Sequence, residues 1–283
     1  MIKDKFSKLF DTSSNDIVYD FELAEFSRDV ILSNKKSIPT LFRYSAADYY
    51  NIRGLETQNL FLSPLGNMND VFEGLSCEIN DDVIDGIEDI RDIAFLKSFS
   101  EEKSSLLMWA HYADNYSGMC VEYDFSKLSD TLLFHLYPVV YSSKRTTSRH
   151  LEQAIIEHKD LKRMNEENCY PNDCDYIKDI MSLFLTKSIS WSYEKEWRLL
   201  ATYAQIYNEA DDVYDDQEDF YRINSQNVSV ASCVKAVYLG PKMKQNIKEH
   251  IKEICTNRLE NISVYSTRLS KEKYELEFVC EKK

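Results

Sequence analysis

Three observations predict an α+β fold for this chain. Short apolar strands stand beside amphipathic helices, and the C-terminal part reads strand, strand, helix, strand, strand. No internal repeat and no Pro/Gly/Ser-rich linker divides the sequence. Nineteen Tyr and 14 Phe against 6 Gly and 5 Pro exclude a disordered, collagen-like or linker-dominated polymer and leave aromatics enough to line a cleft as well as fill a core. Residues 1–38 read as an N-terminal helical extension and residues 39–283 as one catalytic-type domain.

The elements follow in order. Phe21, Ala24, Val30 and Ile31 give residues 18–34 a loose helical pattern. Pro39-Thr40 introduces the strand Leu41-Phe42-Arg43-Tyr44, and Asp48 is placed to cap a short helix ending at Gly54. The strand Leu60–Ser63 runs into the loop Pro64–Asp70. Ala94–Ser100 is an apolar strand, and Ser104 or Ser105 starts a helix over Leu106–Ala113. That helix is expected to be largely buried, since Leu106, Trp109, Ala110 and Ala113 share a face that Leu107 and Met108 widen. The strand Met119–Tyr123 comes next. Two helices then place Leu151, Ala154, Ile155, His158 and Leu161, and Ile177, Ile180, Met181, Phe184 and Leu185, on apolar stripes. Strands are expected at 197–203, 236–239, 262–265 and 274–279, and a helix from Pro241 that turns Met243, Ile247, Ile251 and Ile254 inward.

Composition removes several function classes. No apolar run approaches the ~20 residues that span a bilayer, and the charged start Met1–Phe6 does not read as a secretory signal, so no membrane partner and a cytoplasmic location are expected. Seven scattered Cys fit reduced thiols, and Cys169 and Cys174 have no matching pair at zinc spacing. Thirty-four basic against 48 acidic residues give a net charge of −14, which disfavours a sequence-indifferent nucleic-acid coat. The acidic runs 78–92 and 209–219 read as solvated surface. No nucleophile elbow, P-loop or dinucleotide glycine fingerprint occurs, and the histidines form no metal spacing.

Four constellations remain. Arg43 sits among apolar strand residues, either as a strand-end arginine paired with a carboxylate or as a planar fork for phosphate or ribose. Ser98 and Ser100 share one face of a strand, lining a cleft floor unless one is merely a helix cap. Glu194 and Glu196 lie two residues apart at the head of a strand. They are either exposed carboxylates paired with Lys195 or Arg198, or two groups sharing work, one stabilising positive charge and one acting as a base. Their mutual repulsion implies that neutralising either one costs little stability. His111, in Met108–Ala113, is either a satisfied core histidine or, with Tyr112, a group that reaches a cleft.

Taken together, Leu41–Tyr44, Phe61–Pro64, Asn69-Asp70-Val71-Phe72-Glu73, Ser98–Ser100, Met108–Ala113, Gly118, Lys187-Ser188, Trp191, Tyr193–Glu196 and Arg198 resemble a bacterial family known as domain of unknown function 2971, over roughly residues 40 to 278. The order arginine strand, Ser-x-Ser strand, helix, strand and Glu-x-Glu also resembles the Arg-Ser-Glu class of mono-ADP-ribosyltransferases, with Phe99 between the serines. That second resemblance implies a split β-sheet core with inserted helices and NAD as substrate. It assigns the cofactor's phosphate or ribose to Arg43, bracing of the NAD pocket to Ser98 and Ser100, the ribosyl cation to Glu196 and acceptor activation to Glu194. Tyr44, Trp109 and Tyr112 are candidates to stack the nicotinamide, with His111 beside them. The expected function is an NAD-dependent mono-ADP-ribosyltransferase that modifies a macromolecular acceptor, protein or nucleic acid, as a bacterial toxin or anti-phage effector with a possible neutralising antitoxin. The alternatives are a metal-dependent nucleotide or RNA hydrolase built on Glu194, Glu196, Asp70 and Glu73, and a non-catalytic sensing or scaffold domain.

Overall fold

A computed structural model of the protein describes residues 2–9, 26–74, 91, 94–145, 175–202, 225–257, 259 and 262–282. Its centre is a nine-stranded, mostly antiparallel sheet, so the chain is an α+β protein. The strands are β1 Leu41–Ser45, β2 Asn59–Phe61, β3 Ser63–Pro64, β4 Ala94–Ser100, β5 Met119–Tyr123, β6 Leu136–Pro138, β7 Val140–Ser142, β8 Thr186–Ser188, β9 Glu196–Thr202, β10 Asn227–Ser229, β11 Val234–Leu239, β12 Ser263–Leu269 and β13 Leu276–Lys282. The main sheet runs β13-β12-β11-β5-β1-β4-β9-β6, with β3 also on β4, while β10–β2 and β7–β8 form two small ribbons. Within the main sheet, β11 and β12 are parallel, joined through the helix Gln245–Asn257, whose Ile251 and Ile254 are buried as its periodicity predicts.

Alternation along the strands sorts the core into two faces. Leu41, Phe95, Phe99, Val121 and Tyr123 enter the larger cluster, where Phe6, Phe26 and Ile31 of the N-terminal segments join them. Phe42, Tyr44, Cys120 and Tyr238 enter a smaller cluster closed by Met108 and Trp109 of the helix Leu106–Tyr112.

Local signals explain several ends. The Asp48 carboxylate accepts the Asn51 N–H at 2.8 Å and starts the helix Tyr49–Thr57, which ends three residues beyond Gly54 on left-handed Gln58. Ser105 accepts from Met108 N at 3.3 Å. Three differences from the sequence reading stand out. Residues 26–37 form a wide π-type turn and then a 3-10 helix kinked at Asn34, not one α-helix. The seven-residue 106–112 helix exposes Leu107 at 49%, so it is only half buried. The helix after Pro241 begins at Gln245, because Gly240 N and Lys242 N are taken by the carbonyls of Gly118 and Tyr116 in a turn. A Cβ on Gly240 would meet the Tyr116 carbonyl oxygen at 2.2 Å, so that close approach requires glycine. The predicted helix at 151–161, Phe21, Ala24 and the 209–219 run lie outside the described residues, as does the 78–92 run apart from Arg91. Among the described residues no helix is long and apolar enough to cross a membrane.

Candidate functional site

The site begins with an incomplete pairing. One edge of β4 is fully laddered to β9, from Ala94↔Thr202 to Ser100↔Glu196. The other edge is shared. β1 meets it only at Phe42↔Ser100, and β3 takes Ser63↔Leu96 and Pro64↔Phe95. Lys97, Ser98 and Phe99 therefore face a gap, and a cleft of about 280 Å³ opens there. It is lined from β1 by Arg43 and Tyr44, from β4 by Lys97 and Ser98, from the 64–70 loop by Asn69, and from the far side by Tyr112, Lys187, Glu194 and Glu196.

At the far side lies a network of five buried charges. Lys187 Nζ donates to Glu194 Oε2 at 2.7 Å and Glu196 Oε2 at 3.1 Å, stands 3.9 Å from Glu73 Oε2, and sits 5.1 Å from the centre of the Trp191 ring. Arg198, 0% exposed, donates through Nε to Glu196 Oε1 at 2.8 Å, through Nη2 to Glu73, and through Nη1 to the Phe184 carbonyl. Ser98 adds a hydrogen bond to Glu196. Burial works against ionising Glu196, but Arg198 and then Lys187 outweigh it and hold that carboxyl at about 2, below its ordinary 4.5. Glu194 goes the other way. Burial pushes its carboxyl up more than Lys187 pulls it down. Burial and then the Glu194 hydrogen bond raise the Tyr112 phenol, so Tyr112 stays protonated and donates to Glu194 Oε1, while Asn69 Nδ2 donates to Tyr112 Oη at 3.0 Å.

The two glutamates converge through a kink and not through strand alternation. Glu194 ends the 3-10 helix Ile189–Glu194, Lys195 takes left-handed φ +47°, and only Glu196 lies on β9. The alternatives of exposed pairs with Lys195 or Arg198 also resolve differently. Lys195 pairs at the surface with Glu102 at 3.4 Å, and Glu196 meets Arg198 in the interior. With Glu196 so engaged, the expectation that its neutralisation costs little stability is corrected. Glu196→Gln would remove the charge from a buried carboxylate that Lys187 and Arg198 share.

The remaining predicted residues divide. Ser100 is sealed in. Its hydroxyl donates to the Glu194 carbonyl at 2.6 Å and accepts from Glu102 N at 3.0 Å, so it fixes the glutamate loop. Ser98 faces the cleft on the Glu196 side. Arg43 belongs by alternation to the opposite face, with Leu41 and Ser45, and donates to Asn51 Oδ1 at 2.7 Å, reaching the cleft through the gap. Tyr44 lines the cleft but spends its hydroxyl on the Glu102 carbonyl at 2.6 Å. Trp109 is 0% exposed, packed edge-on against Tyr44 with its indole N–H on the Lys103 carbonyl. It is a core residue with no face free to stack a ligand. His111 is exposed and contacts Tyr193 at the rim. Asp70 is buried and accepts the Phe72 N–H, shaping the loop that carries Glu73.

The sequence pattern gave Lys187 no site role, and Glu73 a role only in the metal-hydrolase alternative. The available signal was a lysine separated by one threonine from the apolar run Leu183-Phe184-Leu185. Residues 108–199 match the model of a family described as a protein of unknown function, DUF2971, which supports the first resemblance. That stretch carries Tyr112, Lys187, Glu194, Glu196 and Arg198. No curated protein and no solved structure matches the chain.

Proposed function

We propose that this protein is an NAD-consuming mono-ADP-ribosyltransferase acting on a macromolecular acceptor, in the manner of a bacterial toxin or anti-phage effector, with Glu194 as the carboxylate that faces the substrate. One observation carries the reading. The gap beside β4 brings an arginine, a Ser-x-Ser strand, a tyrosine and a glutamate pair from four distant segments into a single cleft. Breaking the nicotinamide–ribose bond develops positive charge on the ribose, and a carboxylate near the anomeric carbon stabilises it.

The charge balance suits this chemistry. Among the described residues, Glu73, Glu194 and Glu196 oppose Lys187 and Arg198, three acids against two bases at the cleft end. Glu196 has two cations on its oxygens, whereas Glu194 keeps Oε1 toward Tyr112, whose phenol donates a hydrogen bond to it. The role at the ribose that was expected of Glu196 therefore passes to Glu194. Glu194 acts on the ribose and Glu196 anchors it through Lys187. The cleft lies near the lower bound of about 300 Å³ for pockets that enclose small molecules, so it fits the nicotinamide–ribose end of NAD and leaves the adenosine outside.

The metal-hydrolase alternative is less favoured by the donor set. The positions between Glu73, Glu194 and Glu196 are filled by the ammonium of Lys187 and the guanidinium of Arg198. The test is nicotinamide release from NAD, run beside a mass-spectrometric search of cell extract for ADP-ribose adducts. Glu194→Gln should slow release on the order of 10²–10³ fold without unfolding the protein. No release by the wild type in the presence of extract, or full release by Glu194→Gln, overturns the reading.

A further inference from the structure

Two cations line the opposite part of the cleft, and among the described residues neither has a carboxylate paired with it. Lys97 and Arg43 lie on strands that part after Phe42↔Ser100, and both reach the gap between them. Lys97 has neither an ion pair nor a hydrogen bond among the described residues, and Arg43 is tethered only to the neutral Asn51 amide, which is held in turn by Asp48. Phe95 and Phe99 precede and follow Lys97 on its face of β4, and Leu199 stands opposite it on β9, all three buried apolar residues. Bringing two like charges together in such surroundings is unfavourable unless an anion joins them.

We propose that Lys97 and Arg43 form an anion subsite in the gap between β1 and β4, that its occupant is a phosphate or diphosphate group of the substrate, and that Lys97 binds this group as an ammonium. Lys97 is the residue this adds to the site. Arg43, fixed by Asn51, sets the field in which Lys97 titrates, and no other charged group among the described residues acts on Lys97. Burial first, and Arg43 second, lower the Lys97 ammonium to about 7 in the free protein, so near neutral pH part of the population carries an uncharged amine. An arriving phosphate reverses that balance. Lys97 takes one proton from solvent as the anion docks, and no bond to the ligand is made or broken. The substrate is then bipolar, anionic at the Lys97 end and cationic where it meets Glu194.

This rests on the cleft of the transferase reading but not on its chemistry. The probe is ADP-ribose, whose diphosphate does not titrate near neutrality, studied by calorimetry at pH 7.5 in two buffers of different ionisation enthalpy. The wild type should bind with proton uptake. Lys97→Met should bind about 10- to 100-fold more weakly. Lys97→Arg should restore most of the affinity without the uptake. Inorganic sulfate should compete in the wild type and fail to compete in Lys97→Met. Unchanged affinity in Lys97→Met, binding without proton uptake in the wild type, or no ADP-ribose binding at all overturns the subsite. Nicotinamide release together with an unchanged Lys97→Met affinity would sink the subsite alone, while the expected binding without any NAD cleavage would sink the transferase and leave the subsite standing.

Discussion

Lys187 and Lys97 line the same cleft from its two sides, and their ammonium groups shift in opposite directions. Burial penalises both charges. At Lys187 the carboxylates of Glu196, Glu73 and Glu194 more than reverse that penalty, whereas at Lys97 the neighbouring guanidinium of Arg43 adds to it. One region satisfies its charges internally, and those groups hold the fold together. The other leaves its charges open, which costs stability and leaves room for a ligand. Buried charge alone therefore does not mark a functional group. Its partners decide.

The comparison breaks most sharply at Arg198. Replacing it with Met removes one guanidinium and leaves the buried carboxylates of Glu73 and Glu196 to share Lys187. The expected loss is about 3–5 kcal/mol in urea denaturation. A midpoint equal to the wild type would mean that the network is not what holds this side together.

Acid titration is the next lever. Glu196 binds its proton at about 2 in the folded protein against 4.5 ordinarily, so the stability it contributes is complete above about 4.5 and disappears as pH falls through about 2. Glu194 has the opposite sign. Its raised carboxyl favours the folded state at low pH, and that contribution is lost as pH climbs through its folded value. Urea midpoints between pH 2 and 5 should fall steeply in the wild type and less steeply in Glu196→Gln.

A smaller effect is expected at Ser100. Ser100→Ala leaves the Glu194 carbonyl and the Glu102 N–H without their shared hydroxyl, at a cost of about 1–3 kcal/mol. If Glu194 acts on the substrate, kcat should fall with stability, since the loop that aims it loosens. The smallest change belongs to Lys97. Its folded value near 7, below the ordinary 10.5, means that the native state gains stability as pH rises between those values. Lys97→Met should melt no lower than the wild type at pH 7 and should flatten the rise toward pH 10.

Much of this was legible in the sequence where a local signal sufficed. The Ala94–Ser100 and Met119–Tyr123 strands, the Asp48 cap and the buried stripe of Gln245–Asn257 each follow from alternation, capping or helical period. The side-chain pattern placed Ser98 and Ser100 on one face, but only strand pairing reveals that Arg43 belongs to the other and reaches the cleft through a gap. The charge network was hidden for a similar reason. Arg198 meets Glu73 from 125 residues away, and no local period encodes that contact. Leu107 illustrates a third limit. In a helix of two turns, one neighbouring element decides which side is covered.

Arg198 carries a consequence for how this chain can change. Its guanidinium has no water to retreat to, and its partners stand at positions 73 and 196 on either side of a long stretch of sequence. A lineage that lost the arginine alone would leave two buried carboxylates to share Lys187, and one that lost either acid alone would hold a cation missing half its neutralisation. The viable routes are joint replacement of all three or retention of all three. Sequences related to this one should accordingly show positions 73, 196 and 198 drifting as a block, while Lys97, bound to no such contract, is free to follow the ligand.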